Sequence, residues 1–191
     1  MIRSFLAIEL PRAILKRIEE VQDELRQSLS DVRWVNPEKI HLTLKFFGNI
    51  EEGRIEPIVK SIEELIHATS PFHLILRGVG AFPHLKNPRV IWMGLREGEE
   101  ALTSFQKQLE IQLKNIGIQP EDRPFHPHLT LGRMRSHKGK EDLLTRMEKY
   151  KEESFGDIHV ERVVLFKSDL RPTGPIYTPL KEIKLGGRST E

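Results

Sequence analysis

The tetrapeptide His-Leu-Thr-Leu occurs twice, at His41–Leu44 and at His128–Leu131. In a β-strand, residues i and i+2 share a face. His41 and Thr43 then point one way, and Leu42 and Leu44 the other. His128 and Thr130 likewise oppose Leu129 and Leu131. The leucine face suits a core, and the other face offers an imidazole and a hydroxyl. If the two strands face each other, two imidazoles and two hydroxyls converge. Imidazoles can divide the duties of base and acid near neutral pH. Threonine hydroxyls donate hydrogen bonds to anionic oxygens. Such a set suits a reaction that activates a water and protonates a leaving oxygen, phosphodiester hydrolysis above all. Arg133, close behind the second motif, would neutralise phosphate charge bidentately. A packing role explains the repeated leucines easily, but not the repeated polar face.

A metal site is the rival chemistry. His126 and His128 are also two residues apart, and with His41 they would make a three-histidine set. No Asp or Glu lies beside either motif, and Pro127 constrains the geometry. The reading is therefore a site without metal. No glycine-rich phosphate loop of the Walker or dinucleotide type is present.

The elements that must carry these residues follow from periodicity. Residues 2–9 read as a strand. Pro11 then opens a helix over 12–29, with Ile14, Leu15, Ile18, Val21, Leu25 and Leu29 as its stripe. A loop holds Asn36 and Pro37, and 41–47 reads as a strand. Gly48 and Gly53 bracket a turn before a helix over 54–67. Strands come next at 71–82 and 89–95, then a helix over 99–116 and a proline-containing loop. The remaining elements are a strand at 128–134, a helix at 139–150, and strands at 159–166 and 176–185, the last confined to an edge by Pro179. A loose tail, 186–191, closes the chain.

The two tetrapeptides lie 87 residues apart. The same offset carries strand 2–9 onto 89–96, helix 12–29 onto 99–116, helix 54–67 onto 141–154, and strand 73–79 onto 160–166. This is an internal duplication, with pseudo-repeats at about 1–87 and 88–185 of a single bilobal domain spanning 1–191. Two similar lobes packed face to face would put the motifs in a cleft between them.

Composition narrows the class. The 30 Lys and Arg against 28 Asp and Glu leave a formal charge of +2, too balanced for a protein that coats polyanions. Residues that are 38% hydrophobic and 30% charged, with recurrent apolar stretches, fit a folded chain. No apolar run reaches the roughly 18 residues of a membrane span, so no membrane partner is expected. The absence of cysteine excludes disulfides, thiolate catalysis and Cys-ligated metal. The expectation is a soluble, cytoplasmic protein.

HLTLKFFG at 41–48, RPFHPHLTLGR at 123–133 and the opening RSFLAIEL at 3–10 resemble the two-histidine phosphoesterases. They are most similar to the RNA 2′,3′-cyclic phosphodiesterases, also called 2′-5′ RNA ligases, over nearly the whole chain. The resemblance implies a bilobal α+β fold: two antiparallel sheets facing a central cleft, with helices on the outer faces. It implies hydrolysis of an RNA terminal 2′,3′-cyclic phosphate to a 2′-phosphate, without metal or cofactor. His41 would protonate the leaving 3′ oxygen and His128 would activate water. Thr43 and Thr130 would hold phosphate oxygens, a base would stack on Phe46, and Arg133 would contact phosphate. Partners would be RNA 3′ ends, tRNA fragments among them, and nucleotides, with the chain acting as a monomer.

Strict alternation conflicts with two of these roles. Phe46 and Arg133 each lie five residues past a motif histidine, which puts both on the leucine face. A β-bulge or the end of the strand would resolve it, and Gly132 points to a bulge before Arg133. Phe46 has no such glycine, so a core phenylalanine stays open. Long RNA would need basic side chains around the cleft; Lys45, Lys86, Arg89, Arg123, Arg133, Arg135, Lys138 and Lys140 are the candidates. Three other readings use the same motifs: the reverse ligation of a cyclic phosphate to a 5′-hydroxyl, a phosphodiesterase of small cyclic nucleotides, and a nucleotide- or RNA-binding module without turnover.

Overall fold

The computed structural model describes residues 1–186. In chain order the elements are β1 (Ile2–Ile8), α1 (Arg12–Arg26), β2 (Val32–Trp34), β3 (Leu42–Ile50), α2 (Ile55–Ala68), β4 (Phe72–Phe82), β5 (Val90–Glu97), α3 (Glu99–Asn115), β6 (His128–Met134), α4 (Lys140–Glu148), β7 (Ser154–Val160), β8 (Arg162–Arg171) and β9 (Gly174–Lys184). The helices form where apolar residues recur on one face. Ile14, Ile18, Val21 and Leu25 of α1 are buried, as are Leu102, Phe105, Leu109 and Leu113 of α3. The stripe of α1 stops short of Leu29, which takes a left-handed φ of 53° and is exposed.

The strands form two antiparallel sheets, as expected. One has the order β3-β1-β8-β9 and the other β2-β6-β5-β4-β7. Helix α1 lies against α4 and β7, and α2 against α3 and β9. One face of each sheet and the inward faces of the helices form a continuous apolar cluster. The opposite face of the first sheet carries a small separate cluster of Phe5, Ala7, Val164 and Phe166, with Tyr177 packed on it.

The duplication does not divide the chain into one sheet per half. β4 comes from the first half yet sits between β5 and β7, and β8 comes from the second half yet sits between β1 and β9. Each sheet therefore needs strands from both halves.

Four local expectations change. The apolar run 159–166 is two strands, β7 and β8, because the chain leaves one sheet and enters the other at Glu161. β3 does not turn at Gly48 but continues to Ile50. The segment before Asn36 contains a three-residue strand, β2, paired with β6. Of the tail expected at 186–191, Gly186 donates its N–H to the Thr69 carbonyl at 2.8 Å, and 187–191 lie outside the described residues. Pro179 falls, as expected, on an edge strand, beside a register shift in the β8–β9 pair. No helix among the described residues is long and apolar enough to cross a membrane.

Candidate active site

The two motifs lie at corresponding places on β3 and β6, which approach each other. Leu42, Leu44, Leu129 and Leu131 are buried in the main core. His41, Thr43, His128 and Thr130 are half-buried on the other face. Beyond each motif the alternation breaks. On β3, Thr43 pairs with Ala7 and Lys45 with Leu6, so Leu44 is left out of the ladder. On β6, Thr130 pairs with Trp92 and Gly132 with Ile91, so Leu131 is left out. Each extra residue is a β-bulge, which reverses the facing of the residues after it. Phe46 and Arg133 thereby join the histidine face. Phe46 is 44% exposed, which closes the core reading of it. The glycine signal pointed correctly for Arg133; on β3 the bulge forms without one.

Side chains from the helices occupy the backbone groups at these bulges. Gln106 of α3 donates through Nε2 to the Leu44 carbonyl at 3.4 Å and to Glu110 Oε1 at 3.1 Å. Gln22 of α1 donates through Nε2 to the Leu131 carbonyl at 2.9 Å and to that of Val35 at 2.8 Å. The arrangement is crossed: the second-half helix holds the first motif and the first-half helix holds the second. The Phe46 N–H donates to Glu121 Oε1 at 3.1 Å.

Lys45 departs from expectation. It is 1% exposed, turned inward by the bulge. Its ammonium donates to both Glu110 oxygens, at 3.0 and 2.9 Å, and to the Gln119 carbonyl at 2.9 Å. It is a buried, fully partnered charge and not a surface contact for RNA.

The two imidazoles are held alike. His41 Nδ1 lies 2.9 Å from the Lys39 carbonyl, and His128 Nδ1 lies 2.6 Å from the His126 carbonyl. A carbonyl only accepts, so Nδ1 carries the hydrogen and the neutral ring keeps its lone pair on Nε2. His41 stacks on Phe5 with ring centroids 4.6 Å apart and meets the edge of Tyr177 at 5.3 Å. His128 meets Phe82 edge-on at 5.0 Å. Burial lowers the pKa of His41, and the Lys39 carbonyl partly opposes it. Burial also lowers that of His128; the His126 carbonyl opposes this, while the Arg133 and His126 charges add to it. Burial raises the Tyr177 pKa against the positive charges of Arg3 and Arg133. Tyr177 thus touches the first motif and feels the arginine of the second. Arg3 lies over the Phe46 ring, 5.4 Å from its centroid. A cavity of about 230 Å³ adjoins His128, lined by Phe82, Trp92, Glu99 and His126 among others.

A LigT-like phosphoesterase family model matches the chain twice, over residues 8–92 and 94–177. The chain belongs to the LigT-like phosphoesterases. The two matches meet at residue 93. Among its relatives is the RNA 2′,3′-cyclic phosphodiesterase of Methanothermobacter thermautotrophicus, 33% identical over 96% of this chain and 99% of that one. The protein of the same name from Methanocaldococcus jannaschii is 35% identical over 94% and 99%. Among solved structures, a Thermus thermophilus protein superposes with a TM-score of 0.81 at 28% identity, covering 98% of this chain and all of that one. E. coli LigT complexed with 3′-AMP gives 0.75 at 27% identity, covering 96% and 98%.

In this LigT-like phosphoesterase, His41, Thr43, His128, Thr130, Phe46 and Arg133 share one region. The set with His41, His126 and His128 does not form: among the described residues no three His, Cys, Asp or Glu side chains are grouped as a metal would need. Of the other basic candidates, Lys86, Arg89, Arg123, Arg135 and Lys138 are exposed and Lys140 is half-buried. Sequence reasoning missed Tyr177, Phe5 and Arg3. Arg3 and Phe5 were legible in principle, since they alternate with the buried Ser4 and Leu6 on β1. Nothing in its own segment marked Tyr177, which reaches the site only because β9 pairs with β8.

Proposed function

We propose that this protein hydrolyses the 2′,3′-cyclic phosphodiester at an RNA 3′ end to a 2′-phosphomonoester, in the cytoplasm and without a metal cofactor. The observation that carries this is the pair of imidazoles whose Nδ1–H groups are tied to backbone carbonyls two residues back. Each neutral ring keeps its Nε2 for proton transfer, and the curated relatives carry the RNA 2′,3′-cyclic phosphodiesterase name. A neutral His128 removes a proton from water as the water oxygen bonds to phosphorus. The P–O3′ bond breaks, and protonated His41 gives its proton to O3′. The family resemblance assigns this order of acid and base. The pseudo-symmetric geometry supports either order. Thr43, Thr130 and Arg133 stabilise the phosphoryl oxygens as charge grows on them, and Phe46 offers its exposed face to the terminal base. Solvent exchange returns both histidines to their starting states.

The test is turnover in EDTA of an oligonucleotide ending in a 2′,3′-cyclic phosphate, with chemical mapping of the product end. The wild-type protein is expected to form the 2′-phosphate. His41→Ala and His128→Ala are each expected to lose on the order of 10²–10⁴ in rate. Full activity in either variant, or a 3′-phosphate product, would overturn the reading.

A further inference from the structure

β2 is three residues long and has one exposed side chain, Arg33. Its Cα partner on β6 is Arg133. Directly opposed residues of an antiparallel pair share a face, with Cβ atoms about 5 Å apart. Arg33 therefore stands beside Arg133 on the face that carries His128 and Thr130. Val32 and Trp34, on either side of it, turn into the main core.

Two features show that the strand is built into this place. A Cβ on Gly132 would fall 2.6 Å from Val32 Cγ1 and 3.0 Å from Trp34 Cε3, so only a glycine on β6 lets β2 lie so close. The strand's far end is tied down as well. The Val35 N–H donates to the Leu131 carbonyl at 2.9 Å, and the Val35 carbonyl accepts from Gln22. The Arg26 guanidinium lies over the Trp34 ring.

Like charges set directly opposite each other destabilise a sheet. Among the described residues neither guanidinium has a carboxylate oxygen within 4.0 Å. Asp31, two residues before Arg33, spends its carbonyl on the Arg135 N–H. A pair of arginines so placed is relieved by anionic oxygens, and guanidinium forks match phosphate. One phosphate of the substrate is engaged by Arg133 at the reacting centre. Two guanidiniums on stems rooted at Cβ atoms about 5 Å apart can each hold a separate phosphate of one strand.

Resting on the function proposed above, we infer that Arg33 binds the phosphate on the 5′ side of the terminal nucleoside, so that the enzyme selects nucleotides and RNA bearing that phosphate over a bare nucleoside 2′,3′-cyclic phosphate. The substrate class is then a 3′-cyclic end carrying at least one further phosphate. Phe46 takes the base, the two histidines and Arg133 take the cyclic phosphate, and Arg33 takes the next phosphate.

The test compares adenosine 2′,3′-cyclic phosphate, its 5′-phosphorylated form, and a short oligonucleotide with the same end. Arg33→Gln is expected to lose roughly 10- to 100-fold in kcat/KM on the two phosphate-bearing substrates, carried mainly by KM. On the bare nucleoside substrate it should stay within about twofold of wild type, and its oligonucleotide binding should lose one phosphate's worth of salt dependence, about 0.7 in log–log slope. Arg33→Lys should restore part of the preference, because it keeps the charge without the fork. An equal loss on all three substrates would overturn the inference and assign Arg33 to the scissile phosphate. No loss on any would overturn it outright. Failure of the wild-type protein to turn over any of the three would instead refute the proposed function.

Discussion

Burial acts on His41 and His128 in the same direction, and this sets two pH dependences. Both pKa values lie below the ordinary imidazole value of about 6.5. The group that acts as base is therefore neutral further into acid than a free histidine would be. The acidic limb of the kcat/KM profile should fall below pH ~6.5, and a limb at or above that value would refute the assignment. Stability changes by linkage. Between the lowered folded values and about 6.5 the unfolded chain binds more protons than the folded one, so stability is complete above about pH 6.5 and declines as pH falls through that window. Urea unfolding of wild type and of His41→Gln/His128→Gln at several pH values checks this. The double variant should lose less stability on acidification. The polar face of each motif was readable from residue type and period alone. Lys45 was not, because a lysine within a strand reads as solvated. Its burial depends on Glu110, a residue 65 positions away that no local pattern links to it.

The bulges at Leu44 and Leu131 turn Phe46 and Arg133 onto the site, so the groups that hold the bulges should control activity without touching substrate. Gln22 is buried, and its Oε1 has no hydrogen-bond partner. An unsatisfied buried polar atom costs about 1–3 kcal/mol. Gln22→Met removes that cost together with the two donated bonds, and the Leu131 carbonyl keeps its bond from the Val35 N–H. The variant should unfold within a few tenths to about 1 kcal/mol of wild type. Its kcat/KM should nevertheless drop, by up to about 10²-fold if Arg133 shifts by an ångström. A fall in stability with unchanged kinetics would make Gln22 a core residue and nothing more. Such elements explain where sequence reading ended. Period-2 alternation carries no mark of an inserted residue except where a glycine stands beside it, as at Gly132. A strand as short as β2 has no period to read at all.

The exchange of β4 and β8 makes the halves interdependent. Residues 1–87 contain β1 and β3 of one sheet but, of the other, only β4 and the three-residue edge strand β2, and α1, though it comes directly after β1, lies against β7 and α4. Period and repeat predicted the duplicated elements in kind, yet neither says which sheet a strand joins, because a buried apolar strand satisfies either. Expressed alone, residues 1–87 would expose one face of β4 and the inward stripe of α1 with nothing to cover them, and such apolar area cannot offset the entropy of ordering the chain. The fragment should therefore show no cooperative unfolding transition by circular dichroism, and residues 88–191 should behave likewise. Mixed in equal amounts, the two should recover cooperative unfolding together with activity, since each sheet and both motifs would again be complete. A half that folds by itself would mean that strands can close within one repeat, and that the crossed arrangement of Gln22 and Gln106 is not needed to form either motif strand.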